Sequence, residues 1–477
     1  LELHFLDCCW VPIAPLYPFS VWRDTVLNFA ARVVMLLFPL LAAAAASAAA
    51  QLYPDPVGPL TPWQIHLAYG EDGAYSSMSV TWSTRQLPPG DPVVKLTAVA
   101  SGTTQMFTGE STYFVASYGD EQWFHRVSLS PLTAGSEYSY TVGMNGGGNT
   151  SDAFTFKVPT EDTSAVFAVY GDMGLVNERS VGLLSQDAEA GRLTAILHVG
   201  DFAYNFQDNN GTKGDAFMQT IQPIAARVPY HTCPGNHEEA DDFQQYRARF
   251  TMPGAGNEQN DNIYHSFDLG KVHVVMLSSE VFFYPDAHGL FLMPTMYKWL
   301  EEDLKAANAN RDNVPFIITM AHRPMYCGPN DDEDACHFVT KNPVRTGIFG
   351  MYALEPLLYS NGVDIHFSAH EHSYSRAYPM YNYTWYDGED PYTDYNRTTH
   401  IITGAAGCPE LQDPWQKTQP AWSAFYANVY GFGRLEVFNG TNMQWSFVND
   451  SDGSVIDSVQ FQRHSFGPFP PLELGEE

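Results

Sequence analysis

Polar and apolar residues alternate along residues 53–157, and this period of two predicts β-strands. Met78, Val80 and Trp82 alternate with serine and threonine residues, so we expect the three apolar side chains on one face of a strand. Short strands separated by turn residues are typical of a β-sandwich of the immunoglobulin or fibronectin type. The region holds no cluster of potential ligands, so we interpret it as a packing domain.

Beyond a linker at 157–162, strand-like runs alternate with helical patterns, which predicts an α/β domain. Met296, Leu300 and Leu304 recur at helical spacing and are expected in the hydrophobic core. From about His400 the chain is rich in strand-like runs again, which we expect to extend the sheet or cover its edge. The predicted divisions are a leader and signal at 1–50, a β-rich domain at 51–158, the α/β domain at 159–463 and a loose tail at 464–477.

Five apolar runs in the α/β region each end on residues that have the chemistry of metal ligands. In open α/β sheets the ligand site lies outside the carboxyl ends of the strands, where such residues would meet. Hard oxygen and imidazole donors at these strand ends therefore indicate a two-metal hydrolase centre. The candidate residues are Asp172, Asp201, Tyr204, Asn236, His237, His322, His370 and His372.

A carboxylate must bridge the two metals of such a centre, and Asp201 is the natural candidate because it opens the central motif GDFAY. Asp172 can hold one metal alone. Tyr204 is the unusual donor, because a phenol with an ordinary pKa of about 10 is deprotonated only by a strong Lewis acid. Phenolate is a hard donor that suits Fe(III) better than Zn(II). The neutral donors that suit a divalent neighbour are Asn236, His322 and His370.

The motif series GDMG, GDFAY, GNHE, a strand-like run ending in His322, and AHEH resembles that of the purple acid phosphatases, most closely their animal secreted form. Most calcineurin-like phosphoesterases have D-x-H in the first motif, whereas this chain has Asp172-Met173-Gly174 and gains Tyr204. GNHE alone would indicate only that wider superfamily. The resemblance implies an α/β metallophosphoesterase sandwich of mixed sheets flanked by helices, preceded by a fibronectin type III-like domain.

The resemblance also implies the metals, the reaction and the role of each residue. The implied activity is that of a secreted acid phosphatase, which hydrolyses phosphate monoesters by attack of metal-bound hydroxide and releases inorganic phosphate. His237 would stabilise the phosphoryl group or protonate the leaving alcohol, with orientation of a ligand as the alternative. The implied ligands are Asp172, Tyr204 and His372 for Fe(III), Asn236, His322 and His370 for a divalent Zn, Fe or Mn ion, and Asp201 as the bridge.

Substrate contacts are expected from residues close to the ligand motifs. Asn236 and His237 lie together in GNHE, and both are candidates for binding the phosphoryl group. Arg323 follows a ligand directly and is a further candidate, with an ion pair to the acidic run at 331–334 as the alternative. The positions that depart from the family pattern are Ala369 and Thr319, and neither is a ligand.

Acidic residues outnumber basic ones by 54 to 24, which gives the chain a formal net charge of −30. Such a charge argues against a surface that binds nucleic acid or another polyanion. A phosphate site in this chain needs local positive charge, which bound metal ions would supply. The expected partner is therefore a small phosphate monoester. The functions that compete with this prediction are a two-metal phosphodiesterase, a glycoprotein without catalysis and peroxide chemistry at an iron pair.

Residues 35–50 have the pattern of a secretory signal, with an apolar core and small residues before Gln51. The apolar stretch is shorter than the roughly 20 residues that a membrane span needs, so no span is expected. We interpret residues 1–34 as leader sequence without a role in the fold. Six N-x-S/T triplets support secretion, with the lysosome as the other destination, and would carry N-glycans. They start at Asn149, Asn210, Asn382, Asn396, Asn439 and Asn449.

Four cysteines follow the predicted signal, and the sequence leaves their pairing open. In an oxidising compartment Cys327 and Cys336 could close a short loop, which leaves Cys233 and Cys408 as the remaining pair. No CxxC spacing occurs after the signal, so a thiolate metal site is not expected.

Overall fold

The structure, a computed structural model, describes most of the chain beyond the predicted signal. The predicted leader and signal at 1–50 lie outside the described residues, as does the acidic run at 331–334. The described residues are 58–117, 119, 121–254, 261–284, 291–328, 342–413 and 419–471.

Short strands form two antiparallel sheets in the first part of the described chain. Apolar residues from both sheets, among them Trp82 and Tyr140, pack into one hydrophobic core. Met78 and Val80 are fully buried, as the alternation predicted. The likeness of this β-sandwich to fibronectin type III stays a prediction. The strands are β1 (Trp63–Tyr69), β2 (Met78–Thr84), β3 (Pro92–Ala98), β4 (Thr104–Thr108), β5 (Glu110–Val115), β6 (Glu121–Leu129), β7 (Glu137–Met144) and β8 (Phe154–Lys157), in the orders β1-β2-β6-β5 and β4-β3-β7-β8.

Two larger mixed sheets follow. The strands of the first are β9 (Ala165–Tyr170), β10 (Ala195–Val199), β11 (Tyr230–Cys233), β21 (Gly431–Val437), β22 (Asn442–Asn449) and β23 (Val455–Gln462), in the order β11-β10-β9-β21-β22-β23. The strands of the second are β12 (Tyr264–Leu269), β13 (Val272–Leu277), β14 (Phe316–Ala321), β15 (Ile365–Ser368), β16 (Tyr374–Ala377), β19 (Thr399–Thr403) and β20 (Ser423–Ala427), in the order β12-β13-β14-β15-β19-β16-β20. β17 (Met380–Tyr381) and β18 (Thr384–Trp385) form a separate pair.

The strands that lead to the candidate ligands are parallel. Parallel pairing joins β9 to β10 and β10 to β11 in the first sheet. It joins β13, β14, β15 and β19 in the second sheet. The chain after about residue 400 adds β19 and β20 to the second sheet and β21, β22 and β23 to the first, so the predicted extension of a sheet is confirmed for both.

Helices connect the strands and cover the sheets. Met296, Leu300 and Leu304 are buried along one helix, as their spacing predicted. Across the described ranges, no helix combines the length and the apolar character that crossing a membrane requires. The helices are α1 (Val181–Glu189), α2 (Thr212–Ala225), α3 (Ala240–Arg249), α4 (Leu292–Ala309), α5 (Pro343–Thr346) and α6 (Leu354–Ser360), with 3₁₀ turns at Asn236–Glu238 and Glu280–Phe282.

The carboxyl ends of these parallel strands bring the candidate ligands together. β9 leads to Asp172, β10 to Asp201, and β11 to Asn236 after a short turn. β14 leads to His322, and β15 leads to His370. The sequence predicted the edge of one sheet, whereas the donors come from the edges of two. Donors from both sheets therefore contribute to one candidate site.

The segment 464–471 is packed against the sheet domain and differs from the loose tail that its composition predicted. Phe469 is 5% exposed and belongs to the hydrophobic core. The Tyr359 hydroxyl donates a hydrogen bond to the Pro470 carbonyl over 2.7 Å. Burial of this aromatic side chain outweighs the proline-rich composition of the segment. Residues 472–477 lie outside the described chain.

The cysteines differ in part from the pairing that elimination suggested. Cys327 is disulfide-bonded, and its predicted partner Cys336 lies outside the described residues. Cys233 and Cys408 are both buried and free, so the predicted remaining pair is wrong. Cys233 lies at the end of β11, whereas Cys408 lies beside a candidate ligand, as described below.

Several histidines on the central strands are buried core residues. The His198 imidazole is fully buried, with Nδ1 2.6 Å from the Tyr230 hydroxyl. His366 on β15 is also fully buried, with Nδ1 2.9 Å from Thr319 Oγ1. Burial lowers the pKa of His366 from 6.5 to about 3. The His366 ring is therefore harder to protonate in the folded protein than in the unfolded chain.

We expect the His366→Gln protein to lose less stability in acid than the wild-type protein. The unfolded chain binds a proton at this residue below about pH 6.5, but the folded chain does not until about pH 3. The free energy of unfolding therefore falls as pH drops through this window, by about 1.4 kcal/mol per pH unit for one such group. Urea unfolding of both proteins between about pH 6 and pH 4 measures the difference in slope.

The control for this experiment is His464→Gln, because the His464 side chain is 57% exposed. That variant should keep the acid slope of the wild type. Equal slopes for His366→Gln and the wild-type protein would contradict the assignment of a buried neutral imidazole at this position.

Candidate metal centre

Two buried carboxylates lie at the centre of the site, each just after a parallel strand. Asp172 is 0% exposed and Asp201 is 1% exposed. Asp172 Oδ2 accepts the backbone N–H of His370 over 2.9 Å, and Asp201 Oδ1 accepts the backbone N–H of His237 over 3.0 Å. Each carboxylate therefore has one oxygen fixed by the backbone and a second oxygen directed at side-chain donors.

The Tyr204 hydroxyl connects the first carboxylate to a histidine. Its oxygen lies 3.2 Å from Asp172 Oδ1 and 3.0 Å from His372 Nε2. The third side of this triangle, from His372 Nε2 to Asp172 Oδ1, measures 3.5 Å. A carboxylate, a phenol and an imidazole thus present their donor atoms to one point.

A second group of donors surrounds His322. Its Nε2 lies 3.2 Å from Asp201 Oδ2, 3.1 Å from Asn236 Oδ1 and 3.2 Å from His370 Nδ1. The Nδ1 atom of His322 lies 2.9 Å from the Val199 carbonyl, which can only accept a hydrogen bond. This contact fixes the proton on Nδ1 and leaves the lone pair of Nε2 facing the other donors.

The spacing of these atoms fits the coordination of metal ions. Donors about 2.1 Å from an ion, at angles of about 90° to 109°, lie about 3.0–3.4 Å apart. The ligand atoms of Asp201, His322 and His370 all lie within 4.8 Å of one another. Oxygen and imidazole nitrogen are also the donor types that iron and zinc accept. The residues present therefore fit a two-metal site.

The electrostatics of the site also favour bound cations. Burial raises the pKa of Tyr204 well above 10, and the charges of Asp172 and Asp201 raise it further. Burial lowers the pKa of His322, but the charge and hydrogen bond of Asp201, together with the charges of Asp172 and Glu280, outweigh burial and raise this pKa to about 10. Protons and metal ions compete for the same lone pairs, so cations bound here would displace protons from both groups.

Two glycines are required by the close approach of backbone to carboxylate. A Cβ atom at Gly235 would lie 2.2 Å from Asp201 Oδ1. A Cβ atom at Gly404, just beyond β19, would lie 2.6 Å from Asp172 Oδ2. Both distances are shorter than any van der Waals contact, so a larger residue would displace the carboxylate.

Three family models match consecutive parts of the chain. The model for the purple acid phosphatase N-terminal domain matches residues 62–158, and that for calcineurin-like phosphoesterases matches 165–374. The model described as iron/zinc purple acid phosphatase-like protein C matches residues 397–458. Acid phosphatase type 7 of Mus musculus is 41% identical over 426 residues, which cover 88% of this chain and 94% of that protein. The chain belongs to the purple acid phosphatases.

Other purple acid phosphatases are also similar to this chain. Acid phosphatase type 7 of Homo sapiens is 41% identical over 415 residues, or 85% of this chain and 92% of that protein. Purple acid phosphatase 22 of Arabidopsis thaliana is 31% identical over 365 residues, or 74% of this chain and 75% of that protein. Purple acid phosphatase PPD1 from yellow lupin seeds shares the fold, with a TM-score of 0.72 at 22% identity over 88% of this chain and 79% of that chain.

Membership in this family confirms the predicted resemblance and the calcineurin-like metallophosphoesterase fold behind a β-rich leading domain. The chain is therefore a phosphoesterase, and its family supports the hydrolysis of phosphate monoesters. The family description also implies a metal centre.

Glu238 holds the loop that carries the central carboxylate of this purple acid phosphatase. It is 2% exposed and accepts three backbone N–H groups, from Asp201 and Gly235 over 2.9 Å and from Phe202 over 3.0 Å. Burial raises the pKa of Glu238 to about 8. These three contacts show that the Glu238 side chain supports the loop.

We expect Glu238→Gln to reduce both stability and turnover. A glutamine side chain has one acceptor oxygen where glutamate has two, so at least one buried N–H loses its partner, at a cost of about 1–3 kcal/mol. The displaced loop should also lower kcat by about tenfold or more, because Asp201 moves with it. Glu239→Gln is the matched control at the next position and should change neither quantity. Wild-type melting temperature and kcat in Glu238→Gln would contradict this role.

His237 lies on the open side of the site. Its side chain is 20% exposed, and its Nδ1 lies 2.8 Å from Asn205 Oδ1. Its Nε2 is directed toward Asp201 Oδ2 at 3.9 Å and Glu410 Oε1 at 3.8 Å. The ring packs against Tyr204, with the two ring centroids 4.5 Å apart. His237 therefore borders both the metal ligands and the solvent.

Arg323 takes part in a buried ion pair. Its Nε lies 2.9 Å and 3.1 Å from the two carboxylate oxygens of Glu280, and its guanidinium lies over the Phe283 ring. One terminal nitrogen is 3.1 Å from His370 Nε2. These contacts support His370, while the substrate contact predicted for Arg323 stays a prediction. The acidic run proposed as its alternative partner lies outside the described residues.

Sequence analysis missed the loop that follows β19. Cys408 Sγ lies 3.2 Å from His372 Nδ1, and Asp413 Oδ2 accepts the backbone N–H of His372 over 2.5 Å. These groups fix the Nδ1 atom and the backbone of His372, while its Nε2 faces the other candidate ligands. Metal-ligating histidines are commonly held by such partners. The signal was present in the sequence, because HIITGAAGCPE is a sixth strand-like run followed by potential ligands: β19 ends at Thr403, and Cys408 and Glu410 follow it.

Proposed function

We propose that the protein is a secreted acid phosphatase that hydrolyses phosphate monoesters at a dinuclear Fe(III)–M(II) centre. The observation that carries the proposal is the meeting of the candidate ligands from two sheets, with neighbouring donor atoms 3.0–3.5 Å apart. The phrase "iron/zinc" in the matching family description is consistent with these metals. The acidic chain would then hold an anionic substrate through local positive charge.

The two groups of donors suit different ions. Tyr204 belongs to the group for Fe(III), since phenolate is a hard donor that a trivalent ion stabilises. Asp201 would contribute to both groups as the bridge. When bound, the ions would activate water as a nucleophile and neutralise charge on the phosphoryl oxygens. The proposed ligands are Asp172, Tyr204 and His372 for Fe(III), and Asn236, His322 and His370 for a divalent Zn, Fe or Mn ion.

His237 is the proposed catalytic residue that meets the substrate. Asn205 Oδ1 accepts from Nδ1 of its ring, so the ring keeps one orientation and presents Nε2 to the open side of the site. When both ring nitrogens carry a proton, Nε2 can stabilise a phosphoryl oxygen or give its proton to the leaving alcohol. Asn236, its neighbour in the 3₁₀ turn, is the proposed second contact to the phosphoryl group.

Three observations support secretion. The chain carries a signal pattern at 35–50, and Cys327 is disulfide-bonded, which is usual in oxidising compartments. Most of the predicted glycosylation sites are exposed and accessible to modification; delivery to the lysosome is the other destination consistent with them. The exposed sites are Asn149, Asn210, Asn382, Asn396 and Asn439, and Asn449 is half-buried.

A substrate panel with the metal-loaded protein tests the proposal. We expect kcat/KM for phenyl phosphate to exceed that for bis-phenyl phosphate by at least about tenfold, because a diester presents fewer charged oxygens to two cations. His237→Ala should lower kcat for the monoester by about 10²–10⁴-fold. Its metal content should equal that of the wild-type protein, because His237 is not a proposed ligand. A preference for the diester would favour the phosphodiesterase alternative and overturn the proposal.

A further inference from the structure

We propose that Glu410 is a charge filter through which the enzyme selects phosphate esters of uncharged or cationic alcohols over esters of anionic alcohols. The inference rests on the proposed function, since it concerns the alcohol side of a monoester bound at that site. Glu410 lies in the loop after β19, and its carboxylate faces His237 on the open side of the site.

The position of the carboxylate supports this role. Glu410 Oε1 lies 3.8 Å from His237 Nε2, the atom proposed to meet the phosphoryl group or the leaving alcohol. The side chain of Glu410 is 53% exposed, so its charge faces the solvent from which substrate arrives. An alcohol group bound next to His237 Nε2 would therefore lie close to this carboxylate.

The loop that carries Glu410 is anchored to a candidate ligand at two points. Cys408 Sγ contacts His372 Nδ1 at 3.2 Å and accepts the backbone N–H of Glu410 over 3.2 Å. Asp413 Oδ2 accepts the backbone N–H of His372. Bonds on both sides of Glu410 hold its backbone next to the site.

Two exposed apolar side chains lie close to Glu410 in the chain fold, one in its own loop and one in the loop that this loop contacts. Val176 is 72% exposed and Leu411 is 70% exposed. Their loops touch, because a Cβ atom at Gly174 would lie 2.6 Å from Pro409 Cδ. An aryl or other apolar alcohol group can cover these side chains and gain from their burial. Val176, Leu411 and Glu410 together thus favour an apolar alcohol group and disfavour a negatively charged one.

The expected size of the effect follows from Coulomb's law. Two negative charges about 7 Å apart repel by between about 0.6 kcal/mol in water and about 2.4 kcal/mol at an effective dielectric constant of about 20, or roughly threefold to fiftyfold in rate. We therefore expect about a tenfold effect on kcat/KM for an ester with one negative charge on its alcohol. The charge of the phosphate itself is common to all monoesters and cancels between them.

The test uses phenyl phosphate, 4-carboxyphenyl phosphate and 4-trimethylammoniophenyl phosphate with the metal-loaded full-length protein at low ionic strength. The measured quantity is kcat/KM for each charged ester divided by kcat/KM for phenyl phosphate. The intrinsic reactivity of each ester cancels when these ratios are compared between variants. Glu410→Gln and Glu410→Lys remove and reverse the charge, and the control is Glu189→Gln, at the exposed end of α1.

We expect the ratio for the carboxyphenyl ester to rise about tenfold in Glu410→Gln and further in Glu410→Lys. The ratio for the trimethylammonio ester should fall in the same order, and Glu189→Gln should match the wild type. Unchanged ratios in both Glu410 variants would overturn the charge filter while leaving the phosphatase proposal intact. If the wild-type protein hydrolyses none of the three esters, the proposed function fails and the filter fails with it.

Discussion

Asp201→Ala should abolish both metal retention and hydrolysis. Asp201 Oδ2 lies 3.2 Å from His322 Nε2, and its charge reaches Tyr204 in the other group of donors. It is thus the one proposed ligand shared by both ions, and its loss removes a negative charge from each. We expect kcat for phenyl phosphate to fall by at least about 10⁴-fold, since the ions are proposed to supply both activation and charge neutralisation.

The measurement is metal content per chain by elemental analysis, made on the same preparation as the kinetics. Asp208→Ala is the matched control, because Asp208 lies seven positions further along the same loop and pairs with Lys213 near the surface. That variant should keep the metal content of the wild type. An Asp201→Ala protein with normal activity would show that the ligand assignment is wrong.

The second large effect is expected far from the metal ligands, at Arg249→Met. Arg249 on α3 is 0% exposed, and its guanidinium lies 2.7 Å from Asp215 on α2 and 3.0 Å from Gln64 in β1. Asp215 also pairs with Arg85, beyond the end of β2. The network therefore joins the leading β-sandwich to the helices that cover the metallophosphoesterase sheets.

Breaking this network should destabilise the fold by about 3–5 kcal/mol, because removal of Arg249 leaves buried polar partners without their bonds. The free energy of unfolding in urea, measured with the metal-loaded protein, gives the value. Arg247→Met is the control two positions away, where Arg247 and Asp242 pair near the surface. That change should cost at most about 1 kcal/mol. Equal losses of unfolding free energy in the two variants would contradict the stabilising role of the buried network.

The strand ends were predictable from the sequence because their signal is local. Each β-run is followed within a few residues by its potential ligand, as Val199 is by Asp201 and Ala321 by His322. Parallel pairing then brings these ends together without further information. The buried faces of α4 and β2 were predictable for the same reason, since a helix and a strand each impose a period on their apolar residues.

The outer partners of the ligands were not predictable, because they come from distant parts of the chain. Glu280 and Arg323 are 43 positions apart, and Cys408 reaches His372 across 36 positions. No period in the sequence links such pairs, and only the packing of the sheets brings them together. Elimination among the cysteines also failed, because a free thiol can serve as a hydrogen-bond partner as well as one half of a disulfide.

For the same reason, the sequence did not predict that the candidate ligands come from two sheets and not from one. Apolar runs such as those before Asp172 and His322 look alike in the sequence, and nothing local states which strands pair. The antiparallel pairing of β9 with β21, a strand from the last part of the chain, extends the first sheet beyond β9. A prediction made run by run cannot assign that partner.

The pH–rate profile for hydrolysis of phenyl phosphate by the secreted, metal-loaded protein tests the central claim most directly. We predict turnover with an optimum in acid, because a trivalent ion next to Tyr204 should activate water at lower pH than a divalent ion does. A neutral or alkaline optimum would indicate a site with divalent ions alone. The absence of turnover would contradict the claim that this site is a phosphatase centre.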